Sequence, residues 1–186
     1  MNLPQRKTIR LKDYDYSKVN LYFITVCTLN REYIFGQMIR NNSAGYKIVL
    51  NRAGEIVNNY WEEISRYFTS VETEEFVIMP NHIHGIIKIN DIGDNVGAGF
   101  PRPSTGYKDK PSLGQIIAYF KYQSTKNINQ ISGTAGKQIW QRNYYEHIIR
   151  GEDDLQKIRK YIIYNPQKWE SDIDNLHIGR GNPAPT

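Results

Sequence analysis

Asn81-His82-Ile83-His84 constrains this chain more than any other stretch. It holds two of the four histidines, two residues apart, inside an apolar run that includes Phe76 to Met79 and Gly85 to Ile89. A strand repeats its side-chain direction every second residue, so both imidazoles leave the same face of a sheet. Two imidazoles presented together make half of a metal site, imidazole being the commonest protein metal ligand. The same alternation also describes two cross-strand histidines in a core. Either reading requires a sheet.

The rest of the chain supplies one. Leu21 to Leu29 is rich in β-branched and aromatic residues and reads as a buried strand. Tyr46 to Leu50 reads as a short strand or a lead into a helix. Ile56, Val57, Tyr60, Trp61, Ile64 and Phe68 recur at spacings of three and four, which predicts a helix. Glu75–Met79 and His82–Asn90 predict two strands flanking Pro80-Asn81, as a hairpin or as one bent strand. Ser112 is placed to cap a second helix with Leu113, Ile116, Ile117, Phe120 and Ile128 inward. Ile139 to Ile149 reads as a strand or extended segment. Gly151 and the acids Glu152, Asp153 and Asp154 open a last helix, limited near Asn165 by Pro166. This order predicts an α+β protein, a ferredoxin-like or RRM-like antiparallel sheet with helices packed on one face. The open face of such a sheet is a common platform for single strands.

Around that core, residues 1–18 read as a basic N-terminal arm and 19–170 as a single domain. Residues 91–111, with glycines and three prolines and no periodicity, read as a mobile loop insertion. Residues 171–186 form a polar tail. A length of 186 residues suits one domain, and the net charge of +5 with 14 tyrosines and 3 tryptophans fits a nucleic-acid partner. The only cysteine, Cys27, excludes an intrachain disulfide and a cysteine-based zinc site. No apolar stretch is long enough to span a membrane, and the N-terminus lacks the apolar core of a secretory signal. The expectation is a cytoplasmic protein with no membrane contact.

The last helix carries a second constellation, Tyr161-Ile-Ile-Tyr-Asn165-Pro166. Leu155, Ile158 and Ile162 define its inward stripe. Tyr161 and Asn165, four residues apart, share one flank of that stripe, whereas Tyr164 points away. Helix geometry alone leaves Tyr161 as an edge packing residue and Asn165 as a cap. Docked over the two-histidine strand, the same pair would add a nucleophile and an oxygen ligand.

At this point the chain is recognisable. Arg10-Leu-Lys-Asp-Tyr-Asp-Tyr-Ser17, Tyr22-Phe-Ile-Thr-Val-Cys27, Phe35-Gly36, Met79-Pro-Asn-His-Ile-His84, Ile139 through Arg150 and Tyr161 through Trp169 together resemble the REP-associated tyrosine transposases of bacteria. These lie within the single-tyrosine HUH (histidine, hydrophobic, histidine) transposases. The matches run in order from about residue 6 to residue 169. The resemblance implies His82 and His84 as metal ligands, Tyr161 as nucleophile, and Asn165 where the wider group often has a ligating glutamine. It implies Mg2+ or Mn2+ as cofactor and hairpin-bearing single-stranded DNA as partner. It also implies nicking and strand transfer through a 5′-phosphotyrosine intermediate, by a monomer or a homodimer. Arg10, Lys12, Lys121, Lys126 and Arg142 are candidates for phosphates, and Trp140 and Tyr144 for stacked bases. Two other readings stay open. One is a non-catalytic RRM-like single-strand binder, which needs neither the histidines nor Tyr161. The other is a metallohydrolase that activates water.

Overall fold

β1 (Asn20–Cys27) is the spine of the molecule. In this computed structural model, residues 15–16, 19–41, 45–91 and 111–171 are described. The expectations for most of the basic arm with Arg10 and Lys12, for residues 92–110, and for the tail from 172 fall outside them. β1 pairs antiparallel on one side with β5 (His82–Ile89) and on the other with β6 (Tyr145–Ile148). β4 (Val71–Met79) closes the sheet beyond β5, giving the order β4-β5-β1-β6. β4 and β5 are a hairpin about Pro80-Asn81, which settles the choice the sequence left open. The antiparallel α+β sheet read from the sequence is the one observed.

Between β1 and the first helix stands a separate hairpin, β2 (Gly36–Asn41) with β3 (Gly45–Leu50). Nothing in Gly36–Asn41 alone marks a strand. Its pairing with β3 makes it one, and pairing partners are invisible to local periodicity.

The helices follow their stripes. α1 (Arg52–Tyr67) is capped by Asn51, whose side chain accepts the Gly54 N–H, and buries Ile56, Val57, Trp61 and Ile64. α2 (Leu113–Ser132) opens with a capping box. The Ser112 side chain accepts the Gln115 N–H while the Gln115 side chain accepts the Ser112 N–H, meeting two donors a helix start leaves orphaned. Both helices cover the face that carries Tyr22, Ile24, Val26, Ile83 and Ile87. A Cβ at Gly85 on that face would fall inside the Trp61 indole, so glycine is what lets α1 approach.

α3 (Glu152–Tyr164) packs on the opposite face. Leu155 and Ile162 are buried there with Phe23, Ile86 and Ile149, and Ile158 packs against them. Two helices thus share one face, as expected, while the third covers part of the face expected to lie open. The reason is local: Phe23 and Ile86 are large apolar residues on that face, and the α3 stripe buries them. No helix among the described residues is long and apolar enough to cross a membrane.

Candidate active site

Antiparallel register puts His84 opposite both Thr25 of β1 and Val77 of β4, and His82 opposite Cys27 and Met79. These side chains therefore share the face under α3. Both imidazoles are fully buried, and their Nε2 atoms converge to 3.1 Å.

The hydrogen bonds behind the rings set their protonation. His82 Nδ1 lies 2.7 Å from Asn81 Oδ1, and an amide oxygen can only accept, so the proton of His82 sits on Nδ1. The Asn81 amide is held the right way round by donating to the Arg31 carbonyl at 3.3 Å. Burial, then the His84 and Arg31 charges, hold the His82 imidazole well below its ordinary value, so it is neutral. Its Nε2 lone pair therefore faces His84. Thr25 Oγ1, 2.8 Å from His84 Nδ1, can accept a hydrogen bond from an N–H at that nitrogen. In that tautomer two lone pairs confront each other across 3.1 Å, an arrangement that calls for a positive centre between them. Hydrogen bonds to the far nitrogen of this kind are how metal-binding histidines are oriented.

α3 brings the phenol. Tyr161 Oη lies 3.3 Å from His84 Nε2, with ring centroids 5.0 Å apart. Phe23 sets both rings, stacking on His84 at 5.5 Å and meeting Tyr161 edge-on at 5.9 Å. Asn165, one turn further along the same flank, is 97% buried, and its Oδ1 accepts no hydrogen bond among the described residues. A buried orphan oxygen costs roughly 1–3 kcal/mol and points to a missing partner. Trp169, in the short turn Pro166–Ser171 after α3, lies parallel to the His82 ring at 6.4 Å.

These residues fit a divalent cation. The Nε2 separation is within the span of two nitrogens bound to one ion at about 2.1 Å each. Among the described residues no group of three or more His, Cys, Asp and Glu converges. A third protein donor would then be an amide or phenolic oxygen, and Asn165 Oδ1 is a buried amide oxygen with no hydrogen bond among the described residues. Imidazole with oxygen donors suits manganese, and magnesium less readily.

The sequence-predicted DNA contacts divide. Lys126 and Arg142 are exposed. Trp140 is not a base platform: it is 3% exposed, packs on Phe35 and Phe120, and donates its indole N–H to Ser124 Oγ at 3.0 Å. Lys121 is likewise committed. Its ammonium reaches the carbonyls of Gln141, Arg142 and Asn143 at 2.9–3.3 Å, which uses its three donors inside the fold. Tyr144 is half-buried against the helix-side core with that ammonium 5.4 Å from its ring centre. Arg10 and Lys12 lie outside the described residues. Sequence reasoning passed over Asn81 and Thr25. Both left a signal: Asn81 adjoins His82, and Thr25 is a lone hydroxyl between apolar neighbours in β1.

No family model matches the chain. It is 39% identical over 171 residues to an uncharacterized protein of Haemophilus influenzae, covering 90% of this chain and 91% of that one. It is 26% identical over 162 residues, 83% of this chain and 74% of the other, to a protein of the same organism provisionally described as a REP-associated tyrosine transposase. A solved structure of a REP-associated tyrosine transposase bound to a REP hairpin shares the fold, with TM-score 0.51 at 21% identity over 86% of this chain and 74% of that one. Along most of its length the chain is therefore similar to a protein described as a REP-associated tyrosine transposase, and it has the fold of a solved one.

Proposed function

We propose that the protein nicks and rejoins single-stranded DNA at hairpin-containing sites, as a single-tyrosine HUH enzyme acting through a 5′-phosphotyrosine. The observation that carries this reading is the meeting of three groups within one chain: Tyr161 Oη at 3.3 Å from His84 Nε2, itself 3.1 Å from His82 Nε2. A packing tyrosine has no need of two converging imidazoles.

His82, His84 and Asn165 would hold Mg2+ or Mn2+. When bound, the ion supplies positive charge to the non-bridging oxygens of the scissile phosphate. Asn81 and Thr25 keep the two imidazoles oriented with their Nε2 atoms inward. Tyr161 Oη attacks phosphorus, the bond to O3′ breaks, the phenol gives up its proton and the leaving oxygen gains one. One phosphate ester replaces another, so the step needs no ATP, and a second 3′ hydroxyl can reverse it and join strands. The free phenol has a pKa of about 10 and is a weak nucleophile at neutral pH, which is why it needs this setting. Because both imidazoles are fully buried, DNA reaches them only when the side chains over them, Tyr161 and Trp169 among them, shift.

A single-stranded hairpin oligonucleotide incubated with Mn2+ or Mg2+ and run on a denaturing gel tests the reading. The expected result is a covalent protein–DNA band that chelator prevents and Tyr161→Phe lacks. Binding without any such band, or a band that survives Tyr161→Phe, overturns it.

A further inference from the structure

Arg159 occupies the flank of α3 opposite Tyr161. At 100° per residue the two straddle the buried stripe of Leu155 and Ile162. Its guanidinium makes a two-armed ion pair, Nη2 to Glu74 Oε2 at 2.7 Å and Nε to Glu75 Oε2 at 2.9 Å. All three side chains are largely shielded, at 28%, 22% and 34% exposure. Consecutive strand residues ordinarily point to opposite faces. Here they cannot, because the β4–β5 register slips between Thr73 and Phe76. Thr73 faces Ile87 and Phe76 faces Gly85, so Glu74 and Glu75 together oppose Ile86 alone. Ile86 lies on the face that α3 covers. A bulge that sets two residues against one re-aims side chains, and this one gives α3 two adjacent carboxylates.

We propose that Arg159 is a positioning residue: its fork on the Glu74–Glu75 bulge fixes the roll of α3 and so holds Tyr161 over the histidine pair. This rests on the strand-transfer reading above. The apolar cluster that seats α3 has five buried side chains, and because apolar attraction is non-directional it does not by itself single out one roll of the helix. The tip of a helical side chain lies roughly 5–6 Å from the axis, so a roll of about 20° moves it by about 2 Å. A displacement of 1 Å at a reacting group can cost on the order of a hundredfold in rate. A planar guanidinium bonded through two different nitrogens resists that roll in a way one point charge does not.

The test compares wild type, Arg159→Gln, the pair Glu74→Gln with Glu75→Gln, and all three together. Two quantities are read: the single-turnover rate of adduct formation at saturating hairpin DNA, and hydrogen exchange of amides 152–164 against those of α1. The expected result is a rate about tenfold or more below wild type in each variant, with the triple no worse than Arg159→Gln. Exchange should rise in α3 only, with DNA affinity and thermal midpoint unmoved. A wild-type rate in Arg159→Gln, unchanged α3 exchange, or a loss spread equally over affinity and melting overturns the assignment. If wild type itself forms no adduct, the strand-transfer reading fails. The exchange data then decide the latch alone, a rise confined to α3 supporting it and no rise overturning it.

Discussion

The two faces of the four-stranded sheet are built by different rules. Toward α1 and α2 the cover is continuous and apolar. Trp61 lies flat on Phe76 at 5.4 Å and edge-on to Phe120 at 5.8 Å, and Gly85 leaves room for its indole. Toward α3 the buried apolar cluster among the described residues is smaller, made by Phe23, Ile86, Ile149, Leu155 and Ile162. Beside them sit Asn81, His82 and His84, buried polar groups oriented by hydrogen bonds, and Asn165, whose buried Oδ1 accepts none among the described residues. The period of two sends the larger apolar cover to one side and the buried imidazoles to the other.

The largest expected effect breaks the chemical face alone. Tyr161→Phe removes one hydroxyl, held by a 3.3 Å contact, and should abolish the covalent adduct while leaving the thermal midpoint near wild type. A parallel collapse in melting would show that the site face also carries the fold. Trp61→Ala is the converse. It empties the centre of the other face and should cost about 3–5 kcal/mol in urea unfolding, with the adduct rate per folded molecule retained. Chemistry that fails in step with Trp61 packing would show the faces to be coupled.

A smaller effect sharpens the electrostatic difference. His82 is held well below its ordinary 6.5 by burial first, then by His84 and Arg31. Below that value the unfolded chain takes up a proton there that the folded chain refuses. Stability of the metal-free protein is therefore complete above pH 6.5 and is lost as pH falls from there toward the folded value, by at most about 1.4 kcal/mol per pH unit. Urea midpoints across this window should show a slope that flattens in His82→Gln. An equal slope in the variant would assign the effect to another group. The smallest change is Ser112→Ala, which removes half of the α2 capping box and should cost about 1 kcal/mol with no effect on adduct formation.

Local pattern made several of these features legible before any fold was drawn. The alternation His82-Ile83-His84 fixed a shared face, and the stripe of Leu155, Ile158 and Ile162 put Tyr161 and Asn165 on one flank. Trp140 and Lys121 show where that reasoning stops. An aromatic and a cation near a basic, polar segment look the same in sequence whether they meet solvent or the interior. Ser124 Oγ and three loop carbonyls, 16 to 22 residues away in the chain, decide the matter. Arg159 was hidden for the same reason, its partners being 84 and 85 residues distant.

By itself the sequence determined which side chains travel together. Strand and helix periods of 2 and 3.6 are set by backbone geometry, and they grouped the imidazoles, the phenol and the amide. Only the tertiary structure decided what those groups meet. α3 could have joined α1 and α2 on one face, and a register one residue different would have turned the histidines toward Trp61. Packing of Phe23 and Ile86 against the α3 stripe chose the face, because burying that apolar area outweighs any local preference. That choice carried Tyr161 77 residues back along the chain to His84.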